Sequence, residues 1–242
     1  EGSFYLRQKF QYFMLRDDPS PAVGDTNEFV ATSTLTYGLR RDMTLSLDVP
    51  LIYAHKSTPS GSTQQFGVDD LSLTFKYRPI QVDLNPIDSV RVAFFGGIEI
   101  PSGDADFSSE SWDPYLGCVF TTILGRHGLS QSLSYKFNTG VNEFSPRAGD
   151  GPDDALRYDT SYLFRIDPAQ YAPDTNAATY LTFELNGLYE TSGDNEIIVG
   201  PGILYEARNF AFEANICFPV VQEVTRRSKT DLVVTFGFRV LF

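Results

Sequence analysis

The sequence predicts an all-β chain that closes into an up-and-down antiparallel barrel of about 12 strands and crosses a membrane. Three observations lead there. Apolar and polar side chains alternate with a period near two along almost the whole chain. The alternating segments run roughly nine to twelve residues, the length a tilted strand needs to span a bilayer. The connections between them also alternate, tight on one side and long on the other.

The first segment, Ser3–Arg16, sets Phe4, Leu6, Phe10, Tyr12 and Met14 against Tyr5, Arg7, Lys9 and Gln11. Glu28–Leu39 opposes Phe29, Ala31, Leu35 and Tyr37 to Glu28, Thr32, Thr34 and Thr36. Met43–Ala54 is the clearest, with Leu45, Leu47, Val49, Leu51 and Tyr53 across the pleat from Thr44, Ser46 and Asp48. Asp69–Arg78 follows, with Leu71, Leu73, Phe75 and Tyr77 facing one way. The reading continues at Ser89–Pro101, Trp112–Leu124, Leu129–Asn138, Leu156–Ile166, Tyr180–Glu190, Glu196–Ala207, Phe210–Val221 and Asp231–Phe242. In Trp112–Leu124 the parity is mixed; Leu116, Cys118, Phe120 and Leu124 are assigned to the apolar face.

Arg40-Arg41-Asp42, Gly125-Arg126-His127 and Arg208-Asn209 are tight turns. DDPSPAVGDT, HKSTPSGSTQQ and VNEFSPRAGDGPDDA are long loops on the other side. Two connections, Pro79–Asp88 and Asp167–Thr179, fall on the tight side yet are long. An even strand number puts both termini on one side, the periplasm, and lets DLVVTFGFRVLF pair with Ser3–Arg16 to close the wall. The chain then reads as a single domain over residues 1–242.

A soluble antiparallel sheet would also alternate. Two details favour lipid. The polar face carries charges in mid-strand, and aromatics such as Tyr12, Tyr37, Tyr53, Tyr77, Tyr158, Tyr189 and Phe242 recur near strand ends, as interfacial girdles do. The mean hydropathy of −0.18 is no objection, because alternating strands average out as polar. No stretch approaches the apolar length of a membrane helix. No charged-then-apolar leader opens the chain, so any secretory signal is expected to have been removed.

Composition narrows the function. A net charge of −12 argues against nucleic acid, whose phosphates need clustered Lys and Arg. Cys118 and Cys217 match no metal spacing, and no cofactor or metal is expected. The two histidines, His55 in an outer loop and His127 in a tight turn, fall on opposite sides and cannot share a site, so no catalytic residues are assigned and an enzyme is not expected. The long loops are acidic, with Asp17, Asp18, Asp25, Asp104, Asp106, Asp150, Asp153 and Asp154. They are read as solvated charge that could meet lipopolysaccharide through divalent cations.

The expected lumen-lining charges are Arg7, Lys9, Asp70, Lys76, Arg78, Arg91, Glu99, Lys136, Arg157, Asp159, Glu184, Glu213 and Arg239. Their near balance suggests ion pairs across a narrow lumen; an eyelet of basic residues would instead favour an anionic solute. Pro50, Pro101, Pro114, Pro201 and Pro219 lie inside or at the ends of strands. Proline donates no ladder hydrogen bond, so each marks a local defect. The defects are rim bulges or a lateral opening through which a hydrophobic solute leaves the lumen.

FGVDDLSLTFKYR, then the strand ending Ile100-Pro101-Ser102-Gly103-Asp104, then LSYKFNTG, resembles the outer-membrane channel family labelled "MetA-pathway of phenol degradation". The resemblance is strongest over about residues 30–140. It implies a bacterial outer-membrane barrel of about twelve strands that passes small hydrophobic or aromatic molecules. A terminal aromatic such as Phe242 is similar to the signal such barrels present to their insertion machinery. The expected partners are therefore outer-membrane lipid, lipopolysaccharide, that machinery and a small solute. The alternatives are a structural or assembly-partner barrel in an envelope complex, and a channel selective for small anions.

Overall fold

Thirteen strands and no helix make up the described residues of the computed structural model, which are 2–20, 24–59, 61–140, 148–172 and 174–242. In chain order they are β1 (Phe4–Arg16), β2 (Thr26–Arg40), β3 (Met43–Thr58), β4 (Gly61–Val68), β5 (Leu71–Asp83), β6 (Ser89–Ile100) and β7 (Asp113–Leu124). Then come β8 (His127–Lys136), β9 (Ala155–Asp167), β10 (Ala177–Glu190), β11 (Asn195–Ala207), β12 (Phe210–Glu223) and β13 (Lys229–Leu241). Each pairs antiparallel with its sequence neighbours, except where β3 meets both β4 and β5. The lower part of β3, Met43–Asp48, pairs with β5, and the upper part, Leu51–Thr58, pairs with β4. Strands β4 and β5 thus share one stave, and the wall has twelve.

Closure falls where the alternation requires it. Strand β1 pairs with β2 on one edge and with β13 on the other, from Tyr5–Leu241 to Arg16–Lys229. The last residue is held too, since the Phe242 amide donates to the Phe4 carbonyl at 2.9 Å. Closure of β1 on β13 removes the open sheet edges that hydrocarbon would not tolerate.

Burial is inside out. The most buried apolar residues are mainly small or aliphatic and point inward, among them Val30, Ile52, Ala54, Ala93, Leu188 and Val233. The large ones point outward and stay exposed, among them Phe75, Phe94, Leu116, Phe183, Phe218 and Phe236. Exposure of Leu116, Phe120 and Leu124 confirms the parity assigned to β7. Across the seam, the outward rings of Phe29, Phe10, Phe236 and Phe212 form a ladder with centroids 6.0 to 6.4 Å apart. Such an outer face is stable only against an apolar solvent, so the barrel is a membrane wall of the outer-membrane type.

Several sequence expectations need correction. HKSTPSGSTQQ is no loop: β3 continues through His55 to Thr58, and Gly61–Val68 returns as β4. Its Ser-Thr-Gln-Gln run has no apolar alternation because the hairpin rises beyond the part of the wall that needs a lipid face. His55 is therefore a strand residue, paired with Asn27 and Gln64. Pro79–Asp88 is no long turn either. A bulge between Tyr77 and Ile80 shifts the phase, and β5 then continues to Asp83. Pro79 sits in that bulge, where the ladder needs no donor. At the otherwise tight end, β9 stops at Asp167 and β10 starts only at Ala177, so the long connection expected there stands. Residues 21–23 of the first long loop and 141–147 of VNEFSPRAGDGPDDA lie outside the described residues.

The long-loop end is tied down by carboxylates that the sequence reading left to solvent. Asp18 accepts from Ser228 Oγ at 2.6 Å, Asp154 from Tyr135 Oη at 2.7 Å, and Asp153 faces Arg226 at 3.7 Å. Asp194, in the β10–β11 turn, accepts from the amides of Thr225 and Arg226 and from Thr225 Oγ1, at 2.8 to 2.9 Å. Burial alone would raise its pKa, but these bonds outweigh burial and hold the carboxyl below its ordinary value. A depressed carboxyl stabilises the fold above its ordinary pKa, and that contribution is lost as pH falls through the folded value. Asp194→Asn is expected to speed hydrogen exchange at the Thr225 and Arg226 amides about tenfold at neutral pH. The difference from wild type should vanish in acid.

Candidate transport lumen and wall

Inward positions of the strands bring most of the predicted lumen charges together, and they are largely paired. Arg7 on β1 binds Glu213 on β12, its Nε lying 3.0 Å from Oε1. Asp48 on β3 accepts from Thr34. Lys136 on β8 sits between Glu99 on β6 and Asp150, at 3.1 Å from each. Arg239 on β13 reaches Glu206 on β11 at 3.1 Å. Asp159 accepts from Ser132 Oγ at 3.3 Å, Glu184 from Ser161 Oγ at 2.8 Å, and Arg157 donates to the Ala148 carbonyl at 2.6 Å. Lys9 faces the same region, within electrostatic reach of Arg7, Asp48, Glu213 and Arg157. These contacts cross between staves at several levels, from Arg239 near the tight-turn end to Lys136 at the long-loop end of β8.

Asp70 plays a different part. It lies between β4 and β5 and is buried, with its carboxylate turned to the connection between β6 and β7. It accepts from the amides of Ser102, Gly103 and Ser109 and from Ser109 Oγ, at 2.8 to 3.0 Å. It anchors a loop and does not offer a free lumen charge.

That loop fills an irregularity in the wall. At Pro50 the partner of β3 changes from β5 to β4, and the Pro50 carbonyl accepts from the Asp69 amide at 3.0 Å. Strand β6 stops at Ile100, opposite Leu71, so it never reaches β4. Residues 101–112 occupy the space beside β4 instead. The Asp104 amide donates to the Val68 carbonyl at 2.8 Å, and the Asp104 carboxylate accepts from the Val68 amide at 2.8 Å. A side chain at Gly67 would strike Asp104 and the Phe107 ring, and one at Gly103 would strike the Val68–Asp70 backbone. Both glycines let the loop lie flat against the strand.

Pro101 directly follows β6, and Pro114, near the start of β7, pairs with Ile98, so Pro50, Pro101 and Pro114 converge on this part of the wall. Pro201 and Pro219 lie on the adjacent strands β11 and β12, across the barrel. There the ladder is interrupted between Val199–Phe218 and Gly202–Asn215, and the Ile216 carbonyl presses where a Gly200 side chain would begin.

The tight-turn end holds a cavity of about 800 Å3, bounded by the ends of β5–β11 and by Tyr171 of the connection between β9 and β10. Tyr171 stacks on Arg165, with the guanidinium 3.9 Å from the ring centre, and its hydroxyl meets that of Tyr180 at 2.7 Å. Arg126 donates to the Arg165 carbonyl at 2.8 Å and lies over the Phe164 ring. A smaller cavity of about 290 Å3 adjoins it, sharing Arg91 and Thr121.

The family described as "MetA-pathway of phenol degradation" matches residues 20–235. The chain belongs to that family. No curated protein matches it. Among solved structures, an outer-membrane channel from Pseudomonas putida F1 aligns with a TM-score of 0.63 at 13% identity, covering 100% of this chain and 96% of that one. The beta domain of the Bordetella autotransporter BrkA aligns at 0.56 and 10% identity, covering 100% of both chains. The translocator domain of the Neisseria meningitidis autotransporter NalP aligns at 0.51 and 12% identity, covering 100% of this chain and 89% of that one. At such identities these structures share the barrel with it and no more.

In this member of the MetA-pathway family, sequence reading missed the tight-end chamber. Tyr171, Tyr180 and Arg126 were not singled out. The signal was present in the length of Asp167–Thr179, which no simple turn requires. Also missed was Arg227, which is buried between Glu190 and Glu196 at the long-loop end. Arg227 lies just before β13, in a stretch with no alternation to place it.

Proposed function

We propose that this protein is an outer-membrane channel for the passive diffusion of small hydrophobic or aromatic molecules. Membership of the MetA-pathway family over residues 20–235 carries the reading. In it, the tight-turn end and both termini face the periplasm, and the long loops face outward. Solute gathers among the outer loops and enters a barrel crossed by paired charges. It leaves sideways where residues 101–112 fill the wall beside β4. An apolar molecule gains free energy by passing directly into hydrocarbon instead of crossing the ion-paired lumen. The chain needs no chemistry of its own for this task and acts as a conduit, not an enzyme.

Proteoliposomes test it. The protein is expected to raise the entry rate of toluene or phenol well above that of protein-free vesicles, with little effect on glucose. Equal acceleration of glucose would show a general pore, and no acceleration of any solute would end the channel reading. A Val68→Cys/Asp104→Cys disulfide, formed in a background lacking Cys118 and Cys217, is expected to slow aromatic entry and to be relieved by reductant. Unchanged flux in the oxidised variant would remove the lateral route and leave the channel standing.

A further inference from the structure

Arg7, Lys136 and Arg239 each have a carboxylate partner, but one cluster of lumen cations does not. Lys76 and Arg78 on β5, Arg91 on β6 and Arg41 in the β2–β3 turn line the smaller tight-end cavity of about 290 Å3. The acid at its edge is Asp42, which lies 3.8 Å from Arg40. Among the described residues no carboxylate forms an ion pair with Lys76, Arg78 or Arg91. Arg78 has one hydrogen bond of its side chain, to the Arg41 carbonyl at 2.7 Å. The Nε atoms of both Arg78 and Arg91 are buried and have no acceptor. Arg7 with Glu213 and Lys136 with Glu99 show the neutralised alternative, and Arg157 at least reaches the Ala148 carbonyl. Like charges gathered in a partly desolvated cleft, with donors left open, call for an anion.

The cleft does not stand alone. Arg91 and Thr121 also line the 800 Å3 chamber, whose other walls include Ile123, Leu129, Leu163, Tyr171 and Tyr180. A charged wall therefore opens onto an apolar and aromatic space large enough for a small organic molecule. Two acids also border that chamber, and both have partners: Glu206 meets Arg239 at 3.1 Å, and Asp83 accepts from Gln81 at 2.8 Å. Arg165 there is already stacked on Tyr171 and bonded to the Pro168 carbonyl.

We propose that the tight-turn end of the lumen is a binding site for small aromatic carboxylates. Lys76, Arg78 and Arg91 take the carboxylate, and the chamber beside Tyr171 takes the ring. Guanidinium forks match a carboxylate with two parallel bonds, and a planar ring fits against tyrosine. The inference rests on the channel reading, since it names a further solute class for the same lumen, one whose charge bars the sideways exit into hydrocarbon and keeps it in the barrel. It predicts that the carboxylate form of an aromatic solute is held where its neutral analogue is not.

The test compares benzoate, benzyl alcohol and inorganic phosphate on the wild type and on Lys76→Gln/Arg78→Gln/Arg91→Gln. Calorimetry on the detergent-solubilised full chain reads binding directly, so even a non-conducting barrel gives a usable result. Benzoate is expected to bind the wild type at least about tenfold more tightly than benzyl alcohol or phosphate, and to lose that margin in the variant. In planar bilayers, benzoate should block chloride current with the same affinity. Should the triple variant fail to fold, Arg91→Gln alone must weaken benzoate and Arg91→Lys must restore part of it. Undiminished benzoate binding in the variants, or phosphate binding as tightly as benzoate, overturns the proposal. Benzoate binding without flux of any solute would instead overturn the channel reading and leave the site intact.

Discussion

Arg227→Met is expected to destabilise the barrel by about 3–5 kcal/mol, because it strands two buried carboxylates. Arg227 Nε lies 2.8 Å from Glu190 Oε2, and its Nη1 lies 3.3 Å from Glu196 Oε2 and 3.2 Å from the Ser228 carbonyl. Both acids have further duties: Glu190 accepts from the Gly149 amide at 2.9 Å, and Glu196 from the Thr230 amide at 3.1 Å. Methionine fills much of the same volume, so packing changes little and the charge decides the outcome. Urea unfolding in lipid vesicles, followed by the single tryptophan, Trp112, reads the loss. Adding Glu190→Gln and Glu196→Gln to Arg227→Met should recover most of it. If the single substitution is silent, the cluster is solvated and its role here is wrong.

The second large effect is on the outer wall. Phe236 is 47% exposed, and its ring stacks between Phe10 and Phe212 across the closure seam. Phe236→Arg should cost about 2–4 kcal/mol for charge in the hydrocarbon layer, plus about 0.5–1.5 kcal/mol for each lost ring pair. Ser132→Arg is the control. Ser132 points into the lumen beside Asp159, where an added guanidinium finds a carboxylate. Its cost should stay below about 1 kcal/mol. Comparable costs at the two sites would mean that the faces are not distinguished by solvent.

The alternation that separates Phe236 from its neighbours is what made the barrel legible. In segments such as Met43–Ala54 each residue's face follows from its parity, and the structure keeps that parity. Closure of β1 on β13 also followed, because lipid forbids an open edge. Three things were hidden, each for its own reason. Strand β4 rises largely beyond the apolar band, so in Gly61–Val68 only Phe66, opposite Tyr53, presents a large outward apolar side chain, too little to show an alternation. The bulge at Tyr77–Ile80 changes phase, so β5 ended too early in the reading. Asp70 had the right parity for a lumen charge, yet its carboxylate is held by a loop whose course no local pattern encodes. Parity picks out inward charges one by one, but their partners depend on which staves face each other. The unpaired group of Lys76, Arg78 and Arg91 emerges only once those pairings are known.

Accessibility of spin labels along β13 tests the account most directly. With Cys118 and Cys217 replaced by serine, single labels go at 233, 234, 235 and 236 in a lipid bilayer. The account predicts that 234 and 236 collide mainly with oxygen dissolved in lipid, while 233 and 235 are shielded from it. Equal contact of all four positions with a water-soluble relaxer would contradict a hydrocarbon-facing wall, and with it the barrel, the lateral route and the channel.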